Sequence, residues 1–129
     1  LKVALKYPQR VRAMVLYEPT LFSLIDEQSP APNATDGIRH AVQASGNALD
    51  RGDTSEAAKH FIDYWTGPES WDNTPDSRKS PIAASIVNVR RWGHALFTEP
   101  TALRPFGDLD IPVLHMVGKS SPPSALGVA

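Results

Sequence analysis

The chain has 129 residues, and its 13 Lys and Arg against 14 Asp and Glu give a formal net charge of −1. No run of five like charges occurs, so there is no basic field to hold nucleic acid. No apolar stretch reaches the roughly 18 to 20 residues that cross a bilayer. With no cysteine, a disulfide, a thiolate nucleophile and a Cys-type zinc site are excluded. The sequence predicts a globular protein with no nucleic-acid or membrane partner, with the cytoplasm as default compartment.

Two short apolar runs predict β-strands at residues 11–17 and 111–117, followed by Glu18 and Gly118 respectively. Their apolar character is nearly continuous rather than alternating, so we expect parallel strands that are covered on both faces. Two such strands leave unpaired edges. The sheet should therefore need more strands than this chain provides.

The segment between the strands carries helical periodicity. It predicts one helix over residues 38–49 and another over residues 54–65, for which residues 53–56 (DTSE) supply N-cap oxygens and a first-turn carboxylate. A third is predicted over residues 81–97, with Ser80 as N-cap and the following proline at the first helical position.

The order of these elements predicts an α/β fold. Residues 1–19 should hold a helix end and the first strand, and residues 20–108 a mainly helical insert. Residues 109–129 should hold the second strand and the start of a helix near Ser124. The chain begins with Leu1 rather than Met, on a pattern typical of the end of a helix, and we expect it to be a fragment of a larger domain.

Common catalytic and binding motifs do not occur. No two glycines are four positions apart, which excludes the G-x-S-x-G turn of a serine nucleophile, and their spacing also excludes dinucleotide and phosphate loops. The sequence predicts no cofactor and no metal. Surface or packing roles are favoured over general-base chemistry for each of the four histidines: His40, His60, His94 and His115, the last expected inside a buried strand.

Glu18 is the main candidate for chemistry. It directly follows the first strand, so its carboxylate should project from the carboxyl edge of the sheet, where open α/β sheets place their sites. The alternative is structural: Glu18 could cap the next turn or pair with an arginine.

Residues 5–19 (LKYPQRVRAMVLYEP) and 109–118 (LDIPVLHMVG), together with the long helical segment between them, carry a resemblance to a known family. In this order they resemble the C-terminal half of an α/β-hydrolase. Residues 5–19 are similar to the helix after the nucleophile leading into the sixth strand, and residues 109–118 are similar to the seventh strand. The family inserts a helical cap between those strands, and residues 20–108 have the length and pattern for one.

Ser121 marks a departure from the family. Many members carry the acid of the catalytic triad three residues after the glycine that ends the seventh strand, which here is Gly118. A hydroxyl cannot supply the negative charge that stabilises an imidazolium. Other members, haloalkane dehalogenases among them, place the acid at the end of the sixth strand. Glu18 occupies that position, so the resemblance implies that Glu18 is the catalytic acid.

The resemblance implies a hydrolase of small apolar substrates such as esters, halides or epoxides, with its nucleophile and histidine in the remainder of the hydrolase domain. This chain alone should be inactive. Two other interpretations of the chain remain open. It could be a non-catalytic relic that binds apolar ligands, or a truncated product without activity. Five aromatic residues of the cap could line the substrate pocket, with core packing as the alternative for each: Phe22, Trp65, Trp71, Trp92 and Phe97.

Overall fold

A computed structural model describes residues 1–128, in which eight α-helices accompany two parallel strands, so the chain is a mixed α/β structure. Position 129, the end of the predicted 109–129 segment, lies outside the described residues. Among residues 1–128, no helix has the length and apolar character needed to cross a membrane. In chain order the elements are α1 (Lys2–Lys6), a 3-10 turn (Pro8–Arg10), β1 (Met14–Tyr17), α2 (Phe22–Gln28), α3 (Asp36–Asp50), α4 (Thr54–Thr66), α5 (Asp76–Ile86), α6 (Val89–Phe97), α7 (Arg104–Gly107), β2 (Val113–Met116) and α8 (Pro123–Gly127).

The strands β1 and β2 pair in parallel, with Val15 opposite Leu114, and both are shorter than the apolar runs that predicted them. The expectation that both faces are covered is wrong. Val15 is 62% exposed and Leu114 is 56% exposed. His115, expected in a buried strand, is also exposed. An apolar run indicates that a strand would be stable in a buried position. Whether the strand is buried depends on other elements that cover the sheet.

The helices α3 and α4 confirm the predictions over residues 38–49 and 54–65. The side chain of Asp53 caps α4, since its carboxylate accepts a hydrogen bond of 2.8 Å from the backbone N–H of Glu56. Gly67 ends α4 with a φ of 102°, a conformation that glycine adopts without steric cost. Local sequence signals therefore fix both ends of this helix.

The predicted third helix is wrong in its start and its continuity. The helix α5 already begins at Asp76, with Pro75 as its N-cap, so Ser80 is not a cap and Pro81 lies inside the helix. The chain then leaves the helix at residues 87–88 before α6 begins. Ser80 and Pro81 have the residue types of a helix start, but α5 begins one turn earlier, where Asp76 places a carboxylate in the first turn that interacts favourably with the helix dipole.

Replacing Pro81 with Ala is expected to stabilise the protein by about 2 kcal/mol, because proline inside a helix removes a backbone hydrogen bond and crowds the preceding turn. The gain is smaller than the full cost of an interior proline, since proline also restricts the unfolded chain. Urea unfolding followed by circular dichroism measures it. Pro123→Ala is the matched control, because Pro123 begins α8, where proline is favourable. Equal effects of the two changes would contradict the prediction.

Two clusters of buried side chains form the core. The first lies among α3, α4, α5 and α6 and also takes in a tryptophan from the loop after α4. The second packs α2 against α3. The first cluster consists of Ala48, Ala57, Ala58, Trp71, Ile86 and Val89, and the second of Phe22, Ile25 and Ile38.

Candidate functional site

Glu18 lies where β1 ends, and because the strands are parallel this is also the edge where β2 ends. Its backbone N–H donates to the carbonyl of Met116 at 3.1 Å, which extends the pairing by one residue. Its φ of 45° lies in the left-handed region, which is uncommon for a residue with a side chain. The chain therefore turns out of the sheet at Glu18 itself.

The loop between β2 and α8 holds the Glu18 carboxylate. The backbone N–H of Gly118 donates to Oε1 of Glu18 at 2.8 Å, and the hydroxyl of Ser121 donates to the same oxygen. A Cβ atom added at Gly118 would lie 2.9 Å from that oxygen. A side chain at position 118 would therefore require the carboxylate and the Ser121 hydroxyl to shift, so glycine favours this close contact.

The pKa of Glu18 lies below its ordinary value. The hydrogen bond from Ser121 is the main cause, followed by the backbone N–H of Gly118, while desolvation opposes them and the Tyr17 hydroxyl adds a smaller lowering effect. Both main donors stabilise the charged carboxylate. At neutral pH Glu18 is therefore an anion at the carboxyl edge of the sheet, able to accept a hydrogen bond from an N–H group.

Glu18→Gln should lower stability more at pH 7 than at pH 3. A carboxylate with a lowered pKa stabilises the fold above its unfolded pKa, and this contribution is lost as the pH falls through the folded pKa. Urea midpoints of the two proteins at both pH values measure the change. The exposed Glu69 provides the control variant, Glu69→Gln. A gap between wild type and Glu18→Gln that is the same at both pH values would contradict the expectation.

Four of the five predicted pocket residues belong to one aromatic cluster. The ring of Phe22 lies 5.4 Å from that of Phe97 and 6.5 Å from that of Trp65, between ring centroids. Phe61 links Trp65 to Trp92, at 6.2 Å from each. The cavity among these rings is about 30 Å³, room for a single water molecule. The cluster is packed on itself, and contact with a substrate stays a prediction.

Trp71 lies apart from this cluster, in the core between α4 and α5. It is 4% exposed, and its indole N–H donates to the Ser55 hydroxyl at 3.3 Å. Its backbone N–H donates to a carboxylate oxygen of Asp63 at 2.8 Å. These contacts fasten the loop after α4 back onto that helix, which is a structural role.

An open cleft of about 690 Å³ adjoins the Glu18 site. One wall is residues 118–122, which include Ser121, and the other is residues 64–67 at the end of α4. The hydroxyl oxygens of Tyr64 and the buried Ser124 are 2.6 Å apart, which joins α4 to α8 beside the cleft. Of the five predicted pocket residues, Trp65 lines this cleft.

The sequence reasoning missed the donor role of Ser121 and the place of Tyr64. The spacing of Ser121 after Gly118 is a usable signal, because it puts Ser121 at the sheet edge where Glu18 is also expected. Tyr64 carries no such signal, because a tyrosine on a helix is common and nothing in the local sequence distinguishes this one.

Comparison with protein-family models, with curated proteins and with solved structures finds no match to this chain. Within residues 1–128, no group of three or more His, Asp and Glu side chains is placed to hold a metal ion. The relationship to the α/β-hydrolases therefore stays a prediction from the sequence.

Proposed function

We propose that this chain supplies the orienting acid and the cap of an α/β-hydrolase. The observation that most supports this is the Glu18 carboxylate, which is ionised and fixed at the shared edge of β1 and β2. Both of its main donors bind Oε1, so the other oxygen, Oε2, keeps capacity to accept a further hydrogen bond. The family resemblance gives this same position to an acid on the sixth strand.

In the proposed reaction, a nucleophile outside the described residues attacks a small ester, halide or epoxide, and a histidine, also outside them, is the base. Glu18 accepts a hydrogen bond from Nδ1–H of that histidine. This contact fixes the tautomer of the imidazole and stabilises the imidazolium that forms, while Glu18 keeps its charge throughout.

The helices of residues 20–108 are the proposed cap. They would exclude water from the reacting atoms, and the cleft between residues 64–67 and 118–122 would admit the substrate next to Glu18. Trp65 offers that cleft an apolar wall.

The test compares the chain of residues 1–129 with the product of the whole reading frame. Both are assayed with p-nitrophenyl acetate, a chloroalkane and styrene oxide. We expect the complete protein to hydrolyse at least one of these and the shorter chain to hydrolyse none. A complete protein without turnover on any of them would contradict the proposal, and a reading frame that adds no residues would favour a truncated product.

A non-catalytic role in binding apolar ligands is a further candidate, and the open cleft beside Trp65 is the observation that favours it. It predicts saturable binding of a probe such as 1-anilinonaphthalene-8-sulfonate with quenching of tryptophan fluorescence, and no turnover. A flat titration would contradict this candidate.

A further inference from the structure

We infer that Ser121 is a positioning residue for Glu18: together with the backbone N–H of Gly118, its hydroxyl fixes Oε1 of the carboxylate and leaves Oε2 for the group that Glu18 orients. We call the two donors the Ser121–Gly118 clamp. Its catalytic consequence rests on the proposed function, whereas the clamp itself rests on the contacts within this chain.

The two donors of the clamp come from one hydrogen-bonded turn. The backbone N–H of Ser121 donates to the carbonyl of Gly118 at 3.2 Å, so the main chains of the two donor residues are held close together by the turn itself. On its far side the turn leads into α8, whose buried Ser124 contacts Tyr64 of α4. The turn is thus held at both ends, and the donors need little reorganisation to bind the carboxylate.

The backbone of Glu18 gives an independent sign of positioning. A residue with a side chain is strained at a φ of 45°, and such strain persists where the surroundings hold it in place. The main chain of Glu18 is held by the carbonyl of Met116. The clamp holds the side chain. The main chain and the side chain of Glu18 are therefore both held in place. A residue that must present one carboxylate oxygen in one direction needs this.

Ser121 also explains how a serine can stand where a carboxylate is expected. The Ser121 hydroxyl lies at the same edge of the sheet as Glu18 and donates a hydrogen bond to its carboxylate. Glu18 carries the negative charge. Loss of this hydroxyl would leave the carboxylate with one main donor and more freedom to rotate. The inference thus predicts an effect of Ser121 that acts through Glu18.

Titration of the Glu18 carboxyl carbon by NMR, in the chain of residues 1–129, tests the clamp without any assay of activity. In Ser121→Ala the pKa of Glu18 should rise, and in Ser121→Thr, which keeps the hydroxyl, it should stay near the wild-type value. Ser120→Ala, in the same turn, is the matched control and should leave it unchanged. If the alanine variant does not fold, Ser121→Cys replaces it. An unchanged pKa in Ser121→Ala, or an equal rise in Ser120→Ala, would overturn the inference.

A kinetic measurement in the complete protein separates the clamp from the proposed function. Ser121→Ala should lower kcat about tenfold with KM unchanged, the loss expected for one hydrogen bond to a charged group, and Ser121→Thr should restore it. A raised Glu18 pKa with unchanged kcat would support the clamp and contradict the proposed function. An unchanged pKa would overturn the clamp whatever the turnover.

Discussion

Glu18→Gln in the complete protein is expected to lower kcat by about ten-thousandfold, the loss that follows when the acid of a catalytic triad becomes an amide. The amide has no charge to stabilise an imidazolium, and its N–H₂ group can turn toward the imidazole and select the wrong tautomer. KM should change little, because Glu18 acts on the base rather than on the substrate. Steady-state kinetics on the hydrolysed substrate measure both constants.

The matched control for this prediction is Glu69→Gln, a change of the same residue type on an exposed turn. It should leave kcat near the wild-type value. A Glu18→Gln enzyme that keeps its rate within about threefold would remove Glu18 from the triad, since that ratio corresponds to less than 1 kcal/mol of the barrier.

Trp71→Ala is expected to destabilise the protein by about 3 to 5 kcal/mol, the usual cost of removing a buried tryptophan. The side chain fills the first core cluster, and its loss would leave a cavity among the alanines of α3 and α4. Its indole N–H would no longer bind Ser55, which adds to the loss. Urea unfolding followed by circular dichroism at 222 nm measures the change without depending on tryptophan fluorescence.

Trp92→Ala is the comparison, because both tryptophans were predicted to line the same pocket. Trp92 is 40% exposed, so its removal takes less apolar surface out of the core and should cost about 1 kcal/mol. Equal losses for the two variants would show that Trp71 is less important to the core than its burial indicates.

The sequence predicted best those elements whose limits are set by local chemistry. In α4, Asp53 supplies the capping oxygen and Gly67 supplies the backbone conformation that ends the helix. The two strands were also predicted in their places, and their parallel pairing is confirmed. The signals that mark the ends of α4 and the places of the strands come from neighbours within a few residues, whereas the pairing joins residues far apart in the chain.

The errors arose where competing or distant partners decide the outcome. Ser80 and Pro81 have the pattern of a helix start by themselves, but the start at Asp76 prevails and carries the proline inside the helix. The exposure of Val15 depends on whether another element covers the sheet, and no local pattern in β1 reports that.

The candidate site was likewise predicted only in the part that depends on local sequence. The place of Glu18 at the sheet edge follows from its position directly after β1. That Ser121 donates to Glu18, however, depends on the exact turn between β2 and α8 and on the left-handed backbone of Glu18. Neither feature could be derived from residue types alone.

The hydrogen bond between Gly118 and Glu18 joins residues 100 positions apart, which has a consequence for the order of folding. Closing a long loop costs entropy, whereas helices next to each other in sequence, such as α3 and α4, meet over short separations. We therefore expect these helices to dock first, and the two strands to pair once the helices have brought their ends together. The carboxylate site would then be the last part of residues 1–128 to assemble.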